Sequence, residues 1–210
     1  MINDDEKIEG LMDQVSSKRP DLLEVRIDKV RNSSPLKEII ARKFCPAIAT
    51  DRSNRKVPSK LAKLESAAGI GFDFVDLDLL GTDAEAVERL RSKGAEIILS
   101  YHDYSGTPSQ DRLSKVLEAE KKLGCDICKI VSTARLPEDN LTVLRFIRKE
   151  SSRVKLVSFA MGVRGVPSRV LSPWFGAEFT FASLSDEART AEGQLSIDAL
   201  RSAWQILGLQ

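Results

Sequence analysis

At 210 residues the chain is long enough for one domain with a substantial core, and no stretch rich in proline, glycine or serine divides it. Lysine and arginine (32) nearly cancel aspartate and glutamate (31), and the basic residues are scattered, which argues against nucleic acid as a partner. Apolar runs such as 97–99 fall far short of the roughly 20 residues that cross a bilayer, the start MINDDEKIEG is acidic and polar, and three cysteines make no disulfide framework, so a soluble cytoplasmic protein without a membrane partner is expected. In chain order, residues 1–17 read as a helix, with Ile8, Leu11, Met12 and Val15 spaced for one face. Seven short β-rich segments follow, at 22–27, 46–50, 74–79, 96–101, 126–131, 154–160 and 178–182, with helical periodicity between them, as at 111–123 and 140–149.

Strand then helix, repeated, predicts an α/β fold with a parallel sheet. No glycine-rich dinucleotide loop follows the first strand, so a (β/α)8 TIM-type barrel filling a single domain, 1–210, fits better than an open doubly wound sheet. No first strand is legible before residue 22. The barrel either closes on seven strands, starts late relative to its relatives, or has the gap filled by something else.

Buried parallel strands should be almost continuously apolar, and several of these are not. In 22–28, Leu23, Val25 and Ile27 share one face, while Glu24, Arg26 and Asp28 share the other. The same alternation recurs in Asp76-Leu77-Asp78, Ser100-Tyr101-His102 and Ile127-Cys128-Lys129. Each polar group falls toward the C-terminal end of its strand, where barrel enzymes keep their active sites. A ring of mutually satisfied ion pairs would also place Glu24 and Arg26 inside. Lys129 sits in an otherwise apolar strand, where a lysine either pairs with an acid or gives up its proton and becomes a nucleophile toward carbonyls. His102, the only histidine, is the natural proton shuttle. Cys125 and Cys128 form a C-x-x-C, but residues three apart on a strand point to opposite faces, and no second Cys/His pair completes a zinc site.

Ser100-Tyr101-His102-Asp103-Tyr104 followed by Thr107-Pro108 resembles the S-x-H-D-[FY]-x-x-T-P stretch of the class I 3-dehydroquinate dehydratases. Residues 125–129 resemble that family's Schiff-base strand, Met161 through Gly165 to Ser168-Arg169 its M-x-x-x-G-x-x-S-R turn, and Thr180-Phe181-Ala182 with Gly193-Gln194 its closing motifs. Glu24-x-Arg26-x-Asp28 and Thr50-x-Arg52-Ser53 complete the ordered set. The resemblance implies a lyase that converts 3-dehydroquinate to 3-dehydroshikimate, the third step of the shikimate pathway of aromatic amino acid biosynthesis. It implies no cofactor, a small-molecule substrate and a homodimer. Lys129 would form the imine, His102 would move protons, and Arg169 would bind the carboxylate. Glu24, Arg26 and Arg52 would hold ring hydroxyls. Thr190 and Gln194 would reach in from a polar loop, 185–193, that acts as a lid.

Three features depart from the family pattern. Lys56 stands where a glutamate usually orients the histidine, leaving Asp76 or Asp78 as candidates for that task. Ala191-Glu192-Gly193-Gln194 replaces A-P-G-Q, with Thr190 where serine is common. The absent first strand would also have carried a substrate-contacting serine. Two other readings stay open: another Schiff-base lyase or aldolase on a barrel, and a catalytically impaired barrel used for binding.

Overall fold

The computed structural model describes residues 4–30 and 33–209; the first three residues of the predicted opening helix lie outside them. The elements alternate as α1 (Asp4–Lys18), β1 (Leu23–Arg26), α2 (Ser34–Arg42), β2 (Ala47–Thr50), α3 (Val57–Ile70), β3 (Phe74–Asp78), α4 (Ala84–Arg91), β4 (Glu96–His102), α5 (Gln110–Lys122), β5 (Ile127–Thr133), α6 (Asp139–Glu150), β6 (Leu156–Met161), α7 (Val166–Leu171) and α8 (Ile197–Ile206). The strand order, β1 to β6, follows the chain. This is an α/β fold, as the alternation of periods predicts. No described helix is long and apolar enough to cross a membrane.

The chain divides into two compact units, one running to Ile98 with residues 123–125, the other comprising 99–122 and 126–210. In the first unit β1, β2 and β3 are parallel neighbours, with Arg26 opposite Thr50 and Thr50 opposite Asp76. That register stacks Glu24, Arg26, Thr50 and Asp76 on one face and leaves Leu23, Val25, Val75 and Leu77 on the other. Leu23 and Val25 pack against a cluster of Ile8 and Met12 from α1 and Ile39 from α2. Each such side chain contributes about 1.5–3 kcal/mol when it leaves water completely. Helix α1 therefore covers the apolar face of β1. Leu11, expected on its buried stripe, is 43% exposed; Ile8, Met12 and Val15 already span the contact.

In the second unit β5 and β6 pair in parallel from Cys128–Leu156 to Thr133–Met161. Both are buried almost throughout, the mark of strands covered on two sides. Leu113 and Leu117 of α5, and Val143, Phe146 and Ile147 of α6, supply apolar cover. The seventh predicted strand, 178–182, does not form. Glu178 N–H reaches Leu156 O, and Ser183 makes an isolated parallel bridge with Ser196, but no ladder joins them. The intervening groups are used otherwise: Phe181 O accepts from Arg169, and the Thr180 hydroxyl donates to Arg169 O. The β-rich composition of 178–182 thus serves to buttress α7.

Candidate active site

Polar side chains gather at strand ends in each unit. In the first, Arg26 makes a two-bonded fork to Asp28, Nε and Nη2 each donating at 2.8 Å. Thr50 Oγ1 donates to Glu24 Oε1 at 2.9 Å. Arg52 donates through Nη1 to Asp78 and Nη2 to Asp76, both at 2.7 Å, and Lys60 Nζ adds a bond to Asp78 at 2.8 Å. Burial works against the Arg52 charge, but Asp76 and Asp78 outweigh it and hold the guanidinium above its ordinary range. For Asp28, burial opposes the charge and the bonds from Arg26 overcome it, leaving the carboxyl below its usual value. Of the two residues for which mutual ion pairing is the alternative, Arg26 is held by Asp28, and Glu24 accepts from the Thr50 hydroxyl. A cavity of about 60 Å³ at the end of β3 is lined by Asp51, Lys60, Asp76, Asp78 and Thr82 among others. Lys60 was not legible as a site residue, because it lies on the amphipathic helix α3 and not on a strand. Lys56, at the N-terminus of α3, is exposed.

The second unit holds its cations differently. Lys129 is 5% exposed in the middle of β5, with Nζ 4.1 Å from the centre of the Phe181 ring. Val131, two residues on, pairs with Phe159 of β6, so Phe159 shares the face of Lys129. The Arg169 guanidinium lies 4.1 Å from the Phe159 ring centre, and the Phe159 and Phe181 rings are 6.1 Å apart. Lys129 and Arg169 are thus joined through a pair of aromatic rings. Arg169 is 2% exposed, its Nε meets no acceptor among the described residues, and its one bond is a long one of 3.4 Å to Phe181 O. Burial alone pushes its pKa down to about 10.

The turn that carries Arg169 is built by its motif. Ser168 Oγ accepts from Ala160 N–H at 2.9 Å and donates to Gly165 O at 2.9 Å, while Ser168 N–H donates to Asn140 Oδ1 at 2.9 Å. A Cβ on Gly165 would stand 2.2 Å from Ala160 O, so only glycine lets α7 close onto β6. The glycine and serine of that motif are structural, and they aim the arginine.

His102 ends β4, half-buried, its ring stacked on Tyr104 at 6.0 Å with 14° between planes. Asp103 N–H donates to Val131 O at 2.8 Å, which sets the end of β4 beside β5; His102, at the end of β4, and Lys129, in the middle of β5, stand on adjacent strands. The Asp103 carboxylate turns to the Ser105 hydroxyl and N–H and to Tyr101 OH, and the Ser105 hydroxyl bond leads in holding it below the usual carboxylate range. Thr107 Oγ1 lies 3.0 Å from Ser132 Oγ, pinning the loop after β4. Thr190 and Gln194 are brought together by hydrogen bonds. The aromatic pair Phe159–Phe181 escaped the sequence reading, since β6 is buried on both faces and shows no alternation. Among the described residues no group of three or more His, Cys, Asp or Glu side chains is placed to hold a metal ion.

The family model described as Type I 3-dehydroquinase matches residues 1–210. A 3-dehydroquinate dehydratase of Thermococcus onnurineus is 32% identical over 212 residues, covering 94% of this chain and 92% of the relative. One of Methanocaldococcus jannaschii is 31% identical over 202 residues, covering 90% and 89%. The crystal structure of 3-dehydroquinate dehydratase from Geobacillus kaustophilus superimposes with a TM-score of 0.84 at 26% identity, covering 97% of this chain and 87% of that one.

Proposed function

Because the chain belongs to the type I 3-dehydroquinase family, we infer that it is a hydro-lyase acting on 3-dehydroquinate, and we propose that it works through an imine on Lys129. The observation that carries the mechanism is the pairing of two buried cations on one aromatic floor: an amine on Phe181 and a guanidinium on Phe159 with its Nε unpartnered. A cyclic keto acid complements that pair, the ketone meeting the amine and the carboxylate meeting the guanidinium.

Lys129 gives up its proton and attacks the ketone carbon; the carbinolamine takes up that proton and loses water, leaving a protonated imine. The imine draws electrons from the neighbouring C–H bond, and His102 takes that proton. The electron pair returns as the enamine collapses, the hydroxyl one carbon further leaves, and His102 returns its proton to it as water departs. A second water hydrolyses the protonated imine, releasing 3-dehydroshikimate and returning Lys129 as its ammonium form. Glu24, Arg26 and Arg52 are assigned to the substrate's hydroxyls by the motifs they occupy. By the same resemblance we read the fold as a (β/α)8 TIM-type barrel in one domain with no evident first strand, and the protein as a cytoplasmic homodimer that needs no cofactor. The balanced, scattered charge supports a role away from nucleic acid.

Incubation with 3-dehydroquinate and borohydride, followed by peptide mass spectrometry, is expected to find a covalent adduct on Lys129, while absorbance of the conjugated product reports turnover. Product formation with an unmodified Lys129 peptide would remove the imine mechanism. The exposed Lys56 in place of an acid favours a second reading, a barrel that binds and does no chemistry; binding without product or adduct would support it.

A further inference from the structure

Asn140 is buried in the first turn of α6. Its Nδ2 donates to Pro137 O at 3.0 Å and to Arg164 O at 2.8 Å, and its Oδ1 accepts from Ser168 N–H at 2.9 Å. Main-chain carbonyls only accept and a main-chain N–H only donates, so these three partners fix which way the carboxamide faces. One side chain thus joins the loop after β5, the turn 163–165 after β6 and the start of α7. The turn is held from its other side too, since the Arg164 guanidinium donates to Arg135 O. Arg169 follows Ser168 directly, and its guanidinium has little of its own to hold it. The bond to Phe181 O is long, 3.4 Å, Nε meets no acceptor among the described residues, and the Phe159 face attracts the cation without a directed bond. Where the guanidinium points is therefore set by where the main chain puts it. The Thr180 hydroxyl, 2.9 Å from Arg169 O, fixes the carbonyl end of that main chain, and Asn140 fixes the amide end through Ser168.

We propose that Asn140 is a positioning residue for anion binding: by accepting from Ser168 N–H it sets the start of α7 so that the Arg169 guanidinium presents its unpartnered Nε edge to the substrate carboxylate. Asn140 acts through Ser168 and Arg169. This rests on the dehydratase reading, which gives the carboxylate to Arg169.

The test is a double-mutant cycle with Asn140→Ala and Arg169→Met, read by calorimetry as the ratio of affinities for quinate and for its methyl ester. Quinate has no ketone, so its binding is independent of imine formation, and the ester lacks the carboxylate charge. The wild type should prefer the acid about 10- to 100-fold, the worth of charge-assisted hydrogen bonds, and Arg169→Met should abolish that preference. Asn140→Ala should bring the preference below about threefold, because a shift of about 1 Å spoils a two-bonded carboxylate fork, while leaving affinity for the ester within about twofold. It should change nothing further once Arg169 is methionine. A loosened or partly unfolded protein would weaken acid and ester alike, so the ratio separates positioning from a merely structural effect. Should Asn140→Ala not fold, Asn140→Ser is read the same way: it keeps a hydroxyl for the Pro137 carbonyl but is one bond too short to reach Ser168 N–H. Equal weakening of acid and ester by the Asn140 variant, an unchanged ratio, or a further fall in the Arg169→Met background would each overturn the proposal alone. A wild type that binds neither ligand or both alike, or an acid preference that survives Arg169→Met, would take the carboxylate from Arg169 and overturn the proposal with it. A wild type that prefers the acid through Arg169 but neither dehydrates 3-dehydroquinate nor forms the borohydride adduct would refute the dehydratase reading, leaving the ratio to decide the role of Asn140.

Discussion

Arg52 and Arg169 are both largely buried guanidinium groups, and the protein treats them in opposite ways. Arg52 forks between Asp76 and Asp78, which hold its charge more firmly than water would. Arg169 lies on an aromatic face with its Nε unpartnered, and burial loosens its proton. A buried charge that is paired is part of the scaffold; one left short of partners is a cost that a ligand can offset. The difference separates a cation of the first unit that its own carboxylates already hold from a cation of the second unit left short of acceptors, which the proposed reading gives to the substrate carboxylate.

The comparison breaks most visibly at Lys129. Lys129→Ala should lose turnover and borohydride adduct together, whereas His102→Ala should keep the adduct and slow elimination by about 10²- to 10⁴-fold. Equal loss of adduct in both variants would contradict the division of labour. Swapping each arginine for methionine sharpens the contrast further. Arg52→Met takes the countercharge from the buried Asp76 and should destabilise the fold by about 3–5 kcal/mol in urea unfolding. Arg169→Met should instead stabilise it, by ~1–4 kcal/mol, while weakening the enzyme. Two losses of similar size would show that Arg169 is an ordinary structural cation. Arg169→Lys keeps the charge but not the planar fork, and a rise in KM of roughly 10- to 100-fold with a smaller change in kcat is expected.

The smallest effect concerns acid. Asp28 has a folded pKa below its unfolded value, so its contribution to stability is complete above the ordinary carboxylate range, near pH 4, and is lost as pH falls through the lowered folded value. Asp28→Asn should therefore flatten part of the acid limb of a plot of stability against pH. An unchanged slope would mean that the fork from Arg26 adds nothing to the folded state.

Six of the seven strands and the long helices were legible because their signals are local: period 2, period 3.6, and turn residues between them. Residues 178–182 misled because β-rich composition states a preference for extended backbone without saying where its hydrogen bonds go; here Glu178 N–H goes to Leu156 O and Phe181 O accepts from the Arg169 side chain, so no ladder forms. Lys129 and His102 stood out as polar residues in apolar strands. The tie between Thr190 and Gln194 did not, since a bond across four residues of loop has no period.

Alternation along the chain sufficed to assign the α/β class, the faces of β1 to β3 and the candidate residues for the chemistry, because a side chain's face follows from its parity along a strand. Only the folded molecule could choose which acid answers Arg52, which ring lies under Lys129 and Arg169, and which way the Gln194 amide turns. Those choices depend on contacts between segments far apart in the chain, and they are made by packing and by the need of each buried polar group for a partner.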